Sequence, residues 1–419
     1  MPATTQNYAP RLLKHLTLNM KRILITGARA PVAIDLSRRF HAAGHSVFLC
    51  DSILFPIGRF TKQKAAFYRV PSPRHNTDGF IDELNRIIDQ QQIDLLIPTS
   101  EEAFYVSAHQ DQLHCQALID SLPLLDSLHN KFTFSQNYEN EFASTPRTDL
   151  ISNPRQLHMY APQARKFVFK PVYSRFAASA LVGPSTRRLS NLYFAPAQAW
   201  VAQEKIEGQE ICSFSLADKG RLLAHASYAA PYRAGKGGGI FFEPHEHFGI
   251  LNYVKAFLRE TNFSGQIGFD FIVDPEDHPW VIECNPRATS GIHLFASDNR
   301  LCDAYLSMVD PPTAAEDSRI DEYADFVPMQ SDIRMIGVAM PFWGGMQAIM
   351  QLKPGKFIRD FRSANDALTT KEDRNPLYYF PLTMAELGFT ALQKFHSLQA
   401  ASTEDMEWNG EGLADEILN

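Results

Sequence analysis

The chain has 419 residues, which at about 150 residues per domain predicts roughly two to three domains. Apolar residues make up 45% and charged residues 21%, which excludes intrinsically disordered and fibrous architectures. Lys and Arg number 40 against 47 Asp and Glu, a formal charge of −7, so nonspecific nucleic-acid binding, which needs a basic face, is excluded too. No stretch approaches the about 18 consecutive apolar residues of a membrane span. Cys50, Cys115, Cys212, Cys284 and Cys302 are scattered and form no CxxC, which reads as reduced thiols in a cytoplasmic protein.

The N-terminal stretch before Met20 has no secretory apolar core and reads as a loose extension. Arg11, Lys14 and several leucines leave a short amphipathic arm as the other reading. From Lys21, KRILITGARAPVAIDLSRRFHAAGHSVFLCDS predicts strand, turn, helix and strand. Residues 23–26 are a short apolar run, as in a strand buried on both faces. Ala33, Leu36, Phe40 and Ala43 recur at helical spacing, Gly44 is a stop, and 47–50 is the next strand. A helix over 80–91 and a strand in IDLLIPTSEE follow, so strand and helix alternate and residues 21–125 are predicted as a doubly wound parallel sheet. Ser100 ahead of Glu101 and Glu102 reads as a helix N-cap. The turn Gly27-Ala28-Arg29-Ala30-Pro31 has one of the three glycines a dinucleotide fingerprint requires. NAD(P) binding is therefore disfavoured, although Asp51 ends the second strand where a ribose-binding acid would sit.

Pro123, Pro146, Pro154 and Pro162 mark a change of texture, and from 166 the reading becomes antiparallel. KFVFKPV is a strand, and AWVAQEKIEGQEICSFSLADKGRLLAHASYAA holds two long strands joined by a tight turn at Asp218-Lys219-Gly220. NYVKAFLRETN is a helix with Tyr253, Phe257 and Leu258 on one face, and GQIGFDFIVDPEDHPWVIECNPR is a hairpin. Residues 330–419 mix short strands and helices and carry the least signal.

That hairpin is the most informative segment. If it is symmetric about Glu276 and Asp277, Asp270 lies opposite Glu283, and Asn285 shares the Glu283 face. Opposed carboxylates on a sheet repel, the more so between the apolar flanks Phe269, Phe271, Val281 and Ile282. A divalent cation resolves the conflict, and an all-oxygen set favours Mg²⁺ completed by waters and phosphates. A solvated hairpin with water-facing acids explains the spacing equally well. Lys170, held by Pro171 at a strand end, is either a phosphate ligand or a surface lysine. In QEKIEGQE, residues 203–206 offer backbone groups to an adenine edge and Glu210 offers a carboxylate to ribose hydroxyls. The glycine run YRAGKGGGIFF, with Arg233 and Lys236, is either a mobile cationic loop closing over an anionic substrate or a plain connection. Glu243, His245 and His247 alternate like metal ligands but read as a surface loop, and Phe342 and Trp343 could line a pocket but default to core packing or a turn. Cys284 faces away from the metal candidates and reads as structural, and no Ser/His/Asp or Cys/His nucleophile is readable.

Lys131, Lys170, QEKIEGQE, GFDF and IECNPRATSG stand in the order and approximate spacing of the ATP-grasp superfamily, which the chain resembles over about residues 21–310. ECNPR following the strand Asp270 is the specific part; KIEGQE alone is weak. The first domain is similar to the companion domain ahead of the grasp in carbamoyl-phosphate-synthetase-like and biotin-carboxylase-like members. The resemblance implies an α/β and α+β fold: an extension over 1–20, the parallel-sheet domain over 21–125, a grasp of two α+β lobes over 126–310, and a small α+β part over 311–419 completing the ligase. It places Lys131 and Lys170 on the ATP phosphates, Gln203 and the backbones of Glu204 and Ile206 on adenine, and Glu210 on ribose. Asp270, Glu283 and Asn285 would hold Mg²⁺, or Mn²⁺ in its stead, with Arg287 at the acyl-phosphate and Ser290 and Gly291 near the carboxylate substrate. One departure is that 171–183 lacks glycine before Gly183 where many members have a glycine-rich loop, so Arg175, beside Ser174 and Ser179, is expected to act as a charged contact over the phosphates. The implied reaction is ADP-forming: a carboxylate becomes an acyl-phosphate, an amine attacks, and an amide forms, with Arg287, Lys170, Arg233 and Lys236 as catalytic contacts. A bicarbonate-using carboxylase and a non-catalytic ATP-binding protein on the same fold are the alternatives. The expected partners are a small-molecule carboxylate and amine, with no nucleic acid and no membrane; a homodimer is left open.

Overall fold

The computed structural model describes residues 20–175, 180–192, 199–235, 237–309 and 326–410. The N-terminal extension, Ser179 and Lys236 lie outside the described residues. Five strands, β1 (Arg22–Ile25), β2 (Ser46–Asp51), β3 (Ala66–Arg69), β4 (Leu95–Ile97) and β5 (Gln116–Ala117), form one sheet in the order β3-β2-β1-β4-β5. Every pairing in it is parallel, as the alternation of strand and helix predicts. Ile23, Leu24 and Ile25 are fully buried, which is why β1 reads as an unbroken apolar run. The helix Pro31–Ala42 starts on a proline and stops before Gly44, whose φ of +88° suits glycine.

Two features at the carboxyl ends of these strands differ from expectation. Ser100 does not cap the helix Glu102–Ala108. Instead the buried Glu102 carboxylate accepts from the Thr26 hydroxyl (2.6 Å) and from the backbone N–H groups of Thr99 and Ser100 (3.0 Å each). Asp51 pairs with Arg29, which also donates to the Ser402 carbonyl (3.0 Å) and reaches Asp405 (2.7 Å). The crevice where such sheets take up dinucleotides is thus occupied by the chain's own C-terminal residues.

A small antiparallel sheet follows, of β6 (Thr148–Ile151), β7 (Phe167–Pro171), β8 (Leu181–Val182) and β9 (Trp200–Glu204), in the order β6-β9-β7-β8. Ile151, Leu157, Phe167, Phe169 and Trp200 give it a core of its own. The large sheet is built from β10 (Gln209–Asp218), β11 (Arg221–Ala229), β12 (Phe241–Pro244), β13 (Gly265–Val273), β14 (Pro279–Asn285), β15 (Val327–Pro328), β16 (Arg334–Met335) and β17 (Asn365–Asp366). Its order is β14-β13-β10-β11-β12-β16-β17, with β15 beside β11. The segment expected to hold two long strands holds three, because the chain leaves the small sheet at Glu204 and enters the large one at Gln209. Gly208 makes that crossing: a Cβ there would stand 2.1 Å from the Val273 carbonyl oxygen. At the next turn Lys219 and Gly220 both have positive φ (47° and 77°), and Asp218 pairs with Arg221, which matches the twist of a two-residue hairpin.

The C-terminal residues fold back onto the first domain. Arg38 donates to the Ala367 carbonyl (2.7 Å), and the Glu386 carboxylate accepts from the N–H groups of Leu54 and Phe55 (2.7 Å each). The Trp408 ring lies parallel to that of Phe104 at 5.7 Å, and its indole N–H reaches Asp126 (2.8 Å). Phe342, expected to pack in the core or a turn, is 66% exposed. No helix among the described residues is long and apolar enough to cross a membrane.

Candidate active site

Asp270 of β13 stands opposite Glu283 of β14, and Gly268 opposite Asn285, the pairing expected from the sequence. The symmetric turn assumed for it does not occur. Val273 pairs with Pro279, so the turn is centred on Glu276 alone, and Asp270 would fall opposite Ile282 if the ladder were regular. A bulge between the Asp270 and Phe271 pairings inserts Ile282 as an extra residue and restores Glu283 to its place. The bulge has a second effect: the Ile282 carbonyl accepts a hydrogen bond from the Lys170 ammonium (3.1 Å).

The carboxylates and lysines meet on Glu283. Its Oε1 lies 3.6 Å from Lys131 Nζ and its Oε2 lies 3.8 Å from Lys170 Nζ. Both lysines are buried, which removes the surface-lysine reading of Lys170. Burial lowers the Lys170 ammonium to about 8, against the attraction of Glu283. Burial and the facing Glu283 charge push the Asp270 carboxyl up to about 6. Asn285 Nδ2 donates to Asp270 Oδ2 (3.3 Å), which completes a set of two carboxylates and an amide. Among the described residues no cluster of three or more His, Cys, Asp and Glu is placed for a metal, so Glu243, His245 and His247 form none; His247 caps the helix Phe248–Thr261 instead. The two lysines ease the charge of Glu283, yet the Asp270 carboxyl stays raised, and the oxygen set of Asp270, Glu283 and Asn285 fits an oxygen-preferring divalent cation such as Mg²⁺. Cys212, paired with Asp270 from β10 and hydrogen-bonded to it, was not foreseen; cysteine at that register carries no signal in the sequence.

The expected nucleotide contacts line the junction of the two sheets. Gln203 is buried and donates to the Thr148 hydroxyl (3.1 Å). The Glu204 N–H bonds the Arg147 carbonyl (2.8 Å), and Ile206 follows in the crossing segment. Glu210, at the start of β10, is ion-paired with Arg233 of the glycine-rich loop, which closes into a hairpin through the Arg233 and Gly239 bridge. Lys131 donates to the Ser174 carbonyl (2.9 Å), tying the segment after β7 to the site.

Arg287 leaves β14 beside the metal candidates. Its Nη2 donates to Asn285 Oδ1 (3.1 Å) and its Nη1 to the Ala288 carbonyl (3.2 Å). Ser290 bonds Tyr228, while Gly291 is enclosed: a Cβ there would stand 2.5 Å from Phe214 Cβ. Glycine at 291 therefore allows close packing of the segment that carries Arg287 and Ser290 against Phe214.

Arg175 departs from its expected place over the phosphates. Its guanidinium is ion-paired with Glu101, donates to the Trp408 carbonyl (2.6 Å) and lies 3.3 Å from Glu407. Burial alone would raise the Glu101 carboxyl, but the charges of Arg175, His129 and Arg287 outweigh it and hold Glu101 at about 2. Arg175 thus ties together the first domain, the segment after β7 and the C-terminal tail. Replacing it with Ala leaves a buried carboxylate unpaired, and we expect a loss of about 3–5 kcal/mol in stability. The thermal midpoint of the ligand-free protein should fall, whereas a contact made only to phosphates would leave it unchanged and lower nucleotide affinity instead.

Residues 128–291 match the family model of the ATP-grasp domain. The fold is similar to N5-carboxyaminoimidazole synthetase from Staphylococcus aureus, with TM-score 0.56 and 10% identity over 78% of this chain and 85% of that one. It is similar to L-amino acid ligase from Bacillus licheniformis, with TM-score 0.54 and 14% identity over 72% and 77% of the two chains. It is also similar to the biotin carboxylase domain dimer of Hydrogenobacter thermophilus 2-oxoglutarate carboxylase, solved with MgADP, ADP and bicarbonate, with TM-score 0.56 and 12% identity over 75% and 73%. No curated protein matches the chain by sequence. The chain thus contains an ATP-grasp domain, and its fold is similar to that of solved ligases and carboxylases.

Proposed function

We propose that the protein is an ADP-forming carboxylate–amine ligase. The observation that supports this best is the convergence of Lys131 and Lys170 on Glu283, beside Asp270, Asn285 and Arg287. Asp270, Glu283 and Asn285 would hold Mg²⁺, which when bound neutralises phosphate charge. Lys131 and Lys170 would act as point charges on the phosphates. Gln203, Glu204 and Ile206 would hold adenine, and Glu210, once released by Arg233, the ribose. Arg287 would face the carboxylate as it is phosphorylated, with Ser290 nearby. Positioning and charge neutralisation suffice for this chemistry, so no nucleophilic side chain is needed.

A carboxylase reading, with bicarbonate as the activated carboxylate, draws support from the structural neighbours that are carboxyaminoimidazole synthetases and a biotin carboxylase. An ADP-release screen against pools of carboxylates with amines tests the ligase reading, and labelled bicarbonate recovered in a product kept at alkaline pH, where an N-carboxylate survives, would replace it with the carboxylase. Mg-ATP should raise the thermal midpoint, since a ligand at a hundred times its Kd stabilises by about 2.7 kcal/mol, and NADPH should not. A shift with NADPH and none with Mg-ATP would sink both readings.

A further inference from the structure

The helix Asn375–Lys394 carries two apolar faces, of which the described residues cover one. Pro376, Thr383, Leu387 and Ala391 are buried against the rest of the chain. On the opposite side Tyr378, Leu382, Phe389 and Leu392 are 65%, 38%, 62% and 78% exposed among the described residues. With Ala385, also exposed, they follow one another at alternating steps of four and three, the spacing of a coiled-coil seam. The helix has two charged side chains, and both are committed within the chain: Glu386 caps the N–H groups of Leu54 and Phe55, and Lys394 pairs with Glu404. A twenty-residue helix that turns an uncharged apolar stripe outward calls for a cover.

We propose that the cover is the same helix of a second copy, lying antiparallel across a two-fold axis at Ala385. The stripe is its own complement under that operation. Ala385 meets its equivalent, which lets the helices approach closely. Tyr378 falls against Leu392 of the second copy, Phe389 against Pro381, and Leu382 against Gly388, where a Cβ would find nothing within 4 Å. Each large side chain thus faces a small, rigid or complementary one, which an arbitrary apolar stripe does not provide. The area is of the right order as well: aromatic side chains bury about 150–250 Å² each, of which some three-fifths is still exposed at Tyr378 and Phe389. Two per copy, with Leu382, Leu392 and the half-exposed Leu377 alongside, supply on the order of 500 Å², the greater part of the about 800 Å² per partner of a standard interface. A membrane surface suits the stripe poorly, because helices that lie in that interface carry Lys and Arg on their polar face and this one carries a single lysine, already paired.

The test is the mass of the full chain by sedimentation equilibrium over a dilution series. The wild type should run at twice the chain mass, and Phe389→Glu with Leu392→Glu should halve it while circular dichroism stays unchanged. Ala385→Cys supplies a readout that does not depend on a disruptive change. Mild oxidation should cross-link it into a disulfide dimer, since only a residue at the two-fold axis meets its own equivalent, and the wild type with its five native cysteines should not cross-link. A monomeric wild type, with or without binding to anionic vesicles, overturns the proposal. So does a dimer that survives both glutamates, or one in which Ala385→Cys fails to cross-link.

Discussion

Glu283→Gln is expected to abolish ADP formation while the protein stays folded. The change is nearly isosteric and removes one negative charge from the point where Lys131 and Lys170 converge. A metal ion contributes several kcal/mol of charge stabilisation in phosphoryl chemistry, so loss of its ligand should cost on the order of 1,000-fold in turnover. Asp270→Asn should lose activity alike, yet its effect on stability should have the opposite sign to that of an ordinary core change. Asp270 is held at about 6 by burial and by the facing Glu283, so its ionised form opposes folding, and removing that charge should leave the metal-free midpoint unchanged or raised. Activity and stability moving apart in one variant is the mark of a residue kept for chemistry. The double variant should be no worse than either single one, because both residues serve one ion. If the two acids were merely solvated, ADP release would remain near wild type in all three variants.

The parallel sheet of the first domain is readable from the sequence because β1 and β2 are buried on both faces and leave unbroken apolar runs. β3 is not, since its residues are half-buried at the sheet edge and show neither a run nor an alternation. The facing of Asp270 and Glu283 follows from period-two alternation, but the assumed turn centre misses by half a residue and the Ile282 bulge compensates for it. A bulge depends on what the freed carbonyl meets, here Lys170 from another sheet, and no local pattern announces it. The same limit hides the place of Arg175. Its partners Glu101 and Trp408 lie 74 and 233 residues away, so the sequence near Arg175 shows a charged residue after a strand and nothing of the pair that buries it. The helix Asn375–Lys394 escapes a sequence reading for a third reason: two apolar faces and Pro381 leave no single 3.6-residue period to detect.

Arg287→Lys should separate chemistry from nucleotide binding. Arg287 follows Asn285 by two residues, beyond Pro286, where β14 ends and the chain turns out of the sheet. One guanidinium nitrogen holds Asn285 Oδ1 and the other the Ala288 carbonyl, so the planar group is fixed at the rim of the metal candidates. Its charge also reaches Glu101 and His129, which places it on the side of the hairpin that faces the first domain. Lysine keeps the charge but cannot span two oxygens in one plane, so the change removes bidentate stabilisation and little else. We expect turnover to fall by about 100-fold or more, the scale of one lost transition-state charge contact. ATP affinity should hold within a few fold, since Lys131, Lys170 and the adenine-side residues are untouched. The measurement is ADP release at saturating ATP together with nucleotide affinity by calorimetry. A surface arginine in a local ion pair contributes roughly 0–1 kcal/mol and would leave turnover unchanged. Unchanged turnover would put Arg287 outside the reaction centre and leave the ligase reading resting on the metal and phosphate residues alone.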